Sequence, residues 1–117
     1  MDARAFLGLE QLDAPALRWR LPVTPAICSP GRFLFGGCGL AAGIEVMEVA
    51  SGRPCVWATA QYLSYAPAGA VVDLEVTLAV TGHNMTQARC VGRVGEQEIL
   101  TVNAALGRRS FDTRVHW

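Results

Sequence analysis

The residues best placed for chemistry form one short run, Phe33-Leu34-Phe35-Gly36-Gly37-Cys38-Gly39-Leu40, which leads into an amphipathic stretch closed by Ser51-Gly52. Glycines opening a helix let a second backbone or a ligand approach its first turn. There the N–H groups lack intrahelical acceptors, and the helix dipole favours an anion or a developing oxyanion. Cys38 in that turn is a candidate nucleophile. No His or carboxylate lies near it in sequence to act as its base, so a small structural residue is the leading reading. Gln61 could orient a water or bind a polarised carbonyl, with cross-strand bonding as the plainer alternative. His83 falls in the turn Gly82-His83-Asn84, where a solvated side chain is expected. His116 lies in the tail, and Asp73 and Glu75 alternate with apolar residues as a solvated strand face would.

The elements that must position this run are legible from period and punctuation. Leu40, Ile44 and Met47 fall at helical spacing, Glu45 and Glu48 lie on another face, and Gly52 supplies a stop. Gly39 and Gly43 weaken helix propensity, which close packing against a sheet would explain. Val72, Leu74, Val76, Leu78 and Val80 alternate with Asp73, Glu75, Thr77 and Ala79 at the period of a strand. Met85 to Val94 and Gln97 to Leu106 follow as strands, joined through Gly95-Glu96. With Cys55 to Tyr65 these are expected to form an antiparallel meander. Upstream, Arg4 to Leu9 reads as a helical turn and Ala16 to Val23 as a short strand. Pro22, Pro25 and Pro30 mark an extended loop. One helix followed by such strands predicts an α+β fold, a curved antiparallel sheet wrapped around one central helix.

Length and composition bound the rest. The 117 residues suit one domain over 1–117, large enough to bury a core. With 51% apolar and 17% charged residues, part of the surface is expected to be covered by a second domain or subunit. A formal net charge of zero, with no basic run beyond Arg108-Arg109, gives no footprint for nucleic acid or an anionic membrane. The cysteines Cys28, Cys38, Cys55 and Cys90 are scattered, with no paired motif and no neighbouring His for zinc. A reduced, cytoplasmic protein without metal or cofactor is the expectation. No apolar run approaches the length of a membrane span, and Ala5 to Leu9 is too short for a signal core.

Three segments together carry a resemblance. They are Phe35-Gly36-Gly37, then Val56-Trp57-Ala58-Thr59-Ala60-Gln61-Tyr62-Leu63-Ser64 leading to Ala68-Gly69, and Gly82-His83-Asn84-Met85-Thr86-Gln87-Ala88-Arg89. In that order, over roughly Ala16 to Gly107, the chain resembles the N-terminal half of the type II acyl-CoA thioesterases, which hold two hotdog domains in one chain. The resemblance implies a hotdog domain acting on acyl-CoA. It further implies that the family's catalytic Asp, Thr or Ser, and Gln belong to a second half, expected beyond Trp117. Where family members often carry Gln after the two glycines this chain has Cys38, and where many have His it has Trp57. The resemblance implies a substrate wall at Phe35, Gly36, Gly37 and Cys38, with Thr59 and Gln61 on a strand facing it.

Three functions follow as alternatives. The leading one is an acyl-CoA thioester hydrolase paired with a second hotdog domain or a second copy of itself. Behind it stands a noncatalytic acyl-thioester binding or dimerisation module. A hotdog dehydratase or hydratase is disfavoured, because that chemistry uses an Asp and His pair and this helix start has neither.

Overall fold

The computed structural model describes residues 2–108, so His116 and Arg109 lie outside the described residues. Two α-helices, one 3₁₀ turn and six strands follow in the order α1 (Ala3–Leu7), β1 (Glu10–Gln11), β2 (Arg18–Pro22), the 3₁₀ turn Pro25–Ile27, α2 (Gly36–Ser51), β3 (Cys55–Tyr62), β4 (Val71–Thr81), β5 (Met85–Val94) and β6 (Gln97–Gly107). The strands form one antiparallel sheet ordered β1-β2-β4-β5-β6-β3. Helix α2 packs on β3, β4, β5 and β6, as the expected curved sheet around one helix requires.

Side-chain alternation makes the two faces of the sheet. Val72, Leu74 and Val76 of β4, Ala88 and Cys90 of β5, and Leu100, Val102, Ala104 and Leu106 of β6 are buried beneath the helix. Asp73, Glu75, Gln87, Arg89 and Asn103 stand on the outer, solvated face. From the helix, Ala42, Val46 and Met47 complete the core. Gly39 and Gly43 confirm the close-packing expectation. A Cβ at Gly39 would stand 3.2 Å from Leu100 Cδ1, and one at Gly43 only 2.7 Å from Val102 Cγ2. Helix and sheet thus approach as closely as the backbone allows. Gly52 ends α2 in the left-handed conformation at φ 69°, as expected. Gly95, at φ 61°, occupies the first central position of the two-residue β5–β6 loop, the pattern of a II′ turn.

Two expectations need correction. The strands are not a meander in chain order, because β3 pairs with β6 and not with the strand that follows it. The chain leaves β3, crosses the open end of the sheet and enters β4, which sits between β2 and β5. The third strand also stops at Tyr62 rather than Tyr65. There Leu63 N–H and Ser64 N–H both donate to the Ile99 carbonyl, at 2.8 and 3.2 Å, which bends the chain out of the ladder. The N-terminal expectations hold in shorter form. Asp2 caps α1 by accepting from Ala5 N–H at 2.8 Å, and the expected strand spans Arg18–Pro22. Buried Trp19 donates through Nε1 to the Ala16 carbonyl at 2.7 Å, under the Arg4 guanidinium. Among the described residues, no helix is long and apolar enough to cross a membrane.

Candidate functional site at the start of helix α2

The segment before α2 is stitched down on several sides. Phe35 N–H donates to the Ile27 carbonyl at 2.9 Å and Leu34 N–H to the Ala66 carbonyl at 2.8 Å, while Phe33 bridges to Pro67. Phe35 occupies the cap position with extended backbone, and its carbonyl accepts from Cys38 N–H at 3.0 Å and Gly39 N–H at 3.1 Å. The N–H groups of Gly36 and Gly37 have no acceptor among the described residues. Two adjacent donors at the positive end of a 16-residue helix therefore point outward from a fixed position.

Tyr62, at the end of β3, completes this corner. Its Oη donates to the Gly36 carbonyl at 2.6 Å, and a Cβ on Gly36 would meet its ring at 3.3 Å. The Phe35 ring leans over Gly37, where a Cβ would come within 2.7 Å of Phe35 Cε2. Both glycines thus leave room for an aromatic ring against the first turn, with the tighter fit at Gly37. Around them Phe33, Phe35, Tyr62, Leu63 and Tyr65 are all exposed, the Phe33 and Tyr65 rings 5.3 Å apart. A shallow cleft of about 150 Å³ runs along Tyr62, Leu63, Ser64 and Tyr65.

The sequence-predicted wall divides. Phe35, Gly36, Gly37 and half-buried Cys38 do lie together at the helix start. Thr59 and Gln61 do not face it. On β3, Ala58 and Ala60 turn inward and Tyr62 reaches the helix, so Thr59 and Gln61 project from the outer face of the sheet. The physical reason is packing: beside a helix held this close only alanine fits, and the polar residues of the strand take the solvated side. Tyr62 is the site residue that sequence reasoning missed. Its signal was parity, since it shares the face of Ala58 and Ala60. Among the described residues, no His, Asp or Glu side chain is hydrogen-bonded to Phe35, Gly36, Gly37 or Cys38.

Two of the other thiols, Cys90 and Cys55, are poorly suited to chemistry. Burial pushes Cys90 from an ordinary 9.0 up to about 12. Cys55 is raised by burial and then by the Glu48 carboxylate, whose Oε2 accepts from Cys55 N–H at 2.7 Å. His83 sits exposed in the β4–β5 turn, far along the sheet from the helix start.

Strand β3 ends the sheet, and its outer edge is unpaired among the described residues. Val56, Trp57, Tyr62 and Leu63 leave large apolar surface exposed along and just beyond it. Such an edge is ready to pair with another strand.

No protein-family model matches the chain, and no curated protein sequence matches it. Solved structures do. A protein of Novosphingobium aromaticivorans assigned as a thioesterase is 31% identical, with a TM-score of 0.82 over 93% of this chain and 44% of that one. This chain therefore spans less than half the length of that neighbour. The Escherichia coli PaaI protein of the phenylacetic acid degradation operon superposes with a TM-score of 0.84 at 14% identity, over 92% of this chain and 85% of that one. A Streptococcus mutans protein bound to acetyl-CoA has a TM-score of 0.77 at 12% identity, over 86% of this chain and 90% of that one. The six-stranded antiparallel sheet curved around α2 and these likenesses establish the chain as a hotdog fold, with thioesterase-superfamily proteins among its structural neighbours.

Proposed function

We propose that this chain is one hotdog half of an acyl-CoA thioesterase, which hydrolyses acyl-CoA to a fatty acid and free coenzyme A. The observation that carries the reading is the pair of acceptor-free N–H groups at Gly36 and Gly37, set beside an aromatic rim and an open strand edge. Water attack on a thioester carbonyl places negative charge on its oxygen. Fixed N–H donors at a helix start stabilise that charge where it develops. The exposed faces of Phe35, Tyr62 and Leu63 offer the acyl chain an apolar wall.

The remaining wall and the polar residues that activate water come, in this reading, from a second hotdog domain paired along β3. That domain is either a continuation of the same chain or a second copy. Two likenesses support the reading: one neighbour is more than twice the length matched here, and another holds acetyl-CoA. A cytoplasmic location belongs to the same proposal.

A second reading, a noncatalytic acyl-thioester binding module, is favoured by one observation. Among the described residues, no acid or imidazole is hydrogen-bonded to the helix start. A thiol-release assay with medium- and long-chain acyl-CoA separates the two. The 117-residue chain would be compared with a chain extended to include a second hotdog domain. The thioesterase reading expects hydrolysis from the paired form, and a rate lower by roughly two to four orders of magnitude from this chain alone, the usual cost of a missing general base. Absence of turnover in both, with acyl-CoA still bound, selects the binding module.

A further inference from the structure

At the opposite end of α2 three loops converge on a cleft of about 210 Å³ lined by Gly52, Arg53, Pro54, His83, Asn84 and Arg108. No carboxylate is among these lining groups, whereas two guanidiniums, an imidazole and an amide are. Arg53 is fixed in place. Its Nη1 donates to Thr86 Oγ1 at 3.0 Å, and its Nη2 to the His83 carbonyl at 3.0 Å. Thr86 is fully buried, so one end of this contact is anchored in the core. The remaining guanidinium N–H groups of Arg53 have no acceptor among the described residues.

The backbone holds the other side equally firmly. Gly107 N–H donates to the Pro54 carbonyl at 2.8 Å, and Arg108 N–H to the Asn84 carbonyl at 3.3 Å. At Gly107, φ is 149° and a Cβ would collide with the Asn84 carbonyl, so the clasp needs glycine. This clasp holds Arg108 at the cleft that Arg53 also lines. Like charges lining one cleft repel, and a cleft of this kind gains most from a multiply charged anion. The negative end of the α2 dipole, about half a charge, offsets the two guanidiniums only in part. Glu48, the acid closest in sequence to Arg53, accepts from Cys55 N–H.

We propose that this cleft binds a phosphate group, with Arg53 and Arg108 as its charged ligands and His83 and Asn84 completing the donor set. Guanidinium matches phosphate through paired N–H donors, and the anchoring of Arg53 removes most of the ordering cost. The site does not depend on thioester hydrolysis. Sixteen residues of helix, about 24 Å at ~1.5 Å per residue, separate it from Gly36. The phosphate is either a free ion or a terminal phosphate of a long thioester carrier reaching from the other end.

The test titrates inorganic phosphate into the 117-residue chain at constant ionic strength, read by thermal shift and by amide NMR of residues 52, 53, 83, 84 and 108. Stabilisation beyond that of chloride, with shifts confined to those amides, is expected. Arg108→Gln and His83→Gln should each weaken binding about tenfold, the usual loss for one contact to a charged group, without lowering stability in chloride. Both side chains are exposed, so these variants fold even if Arg53→Gln does not. A shift no larger than that of chloride, or one unchanged in both variants, would overturn the proposal. Parallel titration with coenzyme A identifies the source. A matching loss of coenzyme A affinity in Arg108→Gln assigns the cleft to a carrier phosphate, and an unchanged one to free phosphate.

Discussion

Tyr62 Oη donates to the carbonyl of Gly36 at 2.6 Å, tying the outermost strand of the sheet to the first residue of its central helix. The two are 26 positions apart in sequence, and among the described residues no other side chain is hydrogen-bonded to that carbonyl. Removing the hydroxyl tests the tie with little change of shape. Because the residue is 53% exposed, Tyr62→Phe is expected to cost toward the low end of ~0.5–1.5 kcal/mol. The urea midpoint should fall with the slope unchanged. Amide exchange should quicken in the first turn of α2 and not in its last. Uniform acceleration through α2 would show that Tyr62 does not hold this corner.

Gly43 lies where helix and sheet touch, and adding one methyl group there should do harm. Alanine gains ~1 kcal/mol of helix propensity over glycine. Against this stands a Cβ at 2.7 Å from Val102 Cγ2, an overpacking that costs typically ~1–3 kcal/mol or more. Gly43→Ala is therefore expected to melt below the parent protein. Combined with Val102→Ala it should lose less than the sum of the single changes, because the second substitution makes room for the first. Strict additivity in thermal denaturation would disprove the contact.

The buried thiol of Cys90 gives stability a slope at alkaline pH. Folded, it ionises only near 12, against 9.0 for an ordinary thiol. Below both values it is neutral in either state and contributes nothing. Between them the unfolded chain loses the proton while the folded chain keeps it, so stability falls as pH rises, by up to ~1.4 kcal/mol per unit. Denaturant titrations from pH 8 to 11 on the parent and on Cys90→Ala should show the parent falling more steeply. A thiol reagent should likewise label Cys90 last, and only as the chain unfolds.

Three substitutions separate the helix start from the outer face. In an active paired protein, Thr59→Ala and Gln61→Ala should hold turnover within about threefold, under ~0.7 kcal/mol of barrier, because both residues project away from α2. Cys38→Ala should also retain most activity, since a water mechanism needs no thiol. A loss beyond about a hundredfold, ~2.7 kcal/mol, in Cys38→Ala would identify it as a nucleophile.

Elements were legible where a single period governed them. The alternation from Val72 to Val80 and the glycine stop after Ser51 were enough to place β4 and the end of α2. What failed was information carried by tertiary pairing. Nothing within Cys55 to Tyr65 states that its partner is β6, because an antiparallel ladder is chosen by the whole sheet. The facing of Thr59 and Gln61 failed for a related reason. A β-bulge between Cys55 and Trp57 sets the parity of the strand, and bulges leave no reliable mark in a single sequence. The role of Tyr62 depended on that parity and was hidden with it. Arg53 and Arg108 were unremarkable in sequence, because their neighbourhood exists only once Gly107 has been clasped between Pro54 and Asn84.

Strand β6, the last among the described residues, is not at the rim of the sheet. β6 lies between β5 and β3, so the segment Cys55–Tyr62 has no sheet partner until Gln97–Gly107 has been made. On the ribosome the stretch from Tyr62 to Gly107, about 45 residues, takes roughly 2–9 s to synthesise at ~5–20 residues per second. Throughout that interval Val56, Trp57 and their neighbours form a nascent strand without a template. The sheet closes only once β6 has been made, and any truncation before β6 strands β3 along with the helix corner that Tyr62 secures. Folding of this domain is therefore timed by β6, and nascent chains stalled between Tyr62 and Gln97 are expected to be the species most open to aggregation.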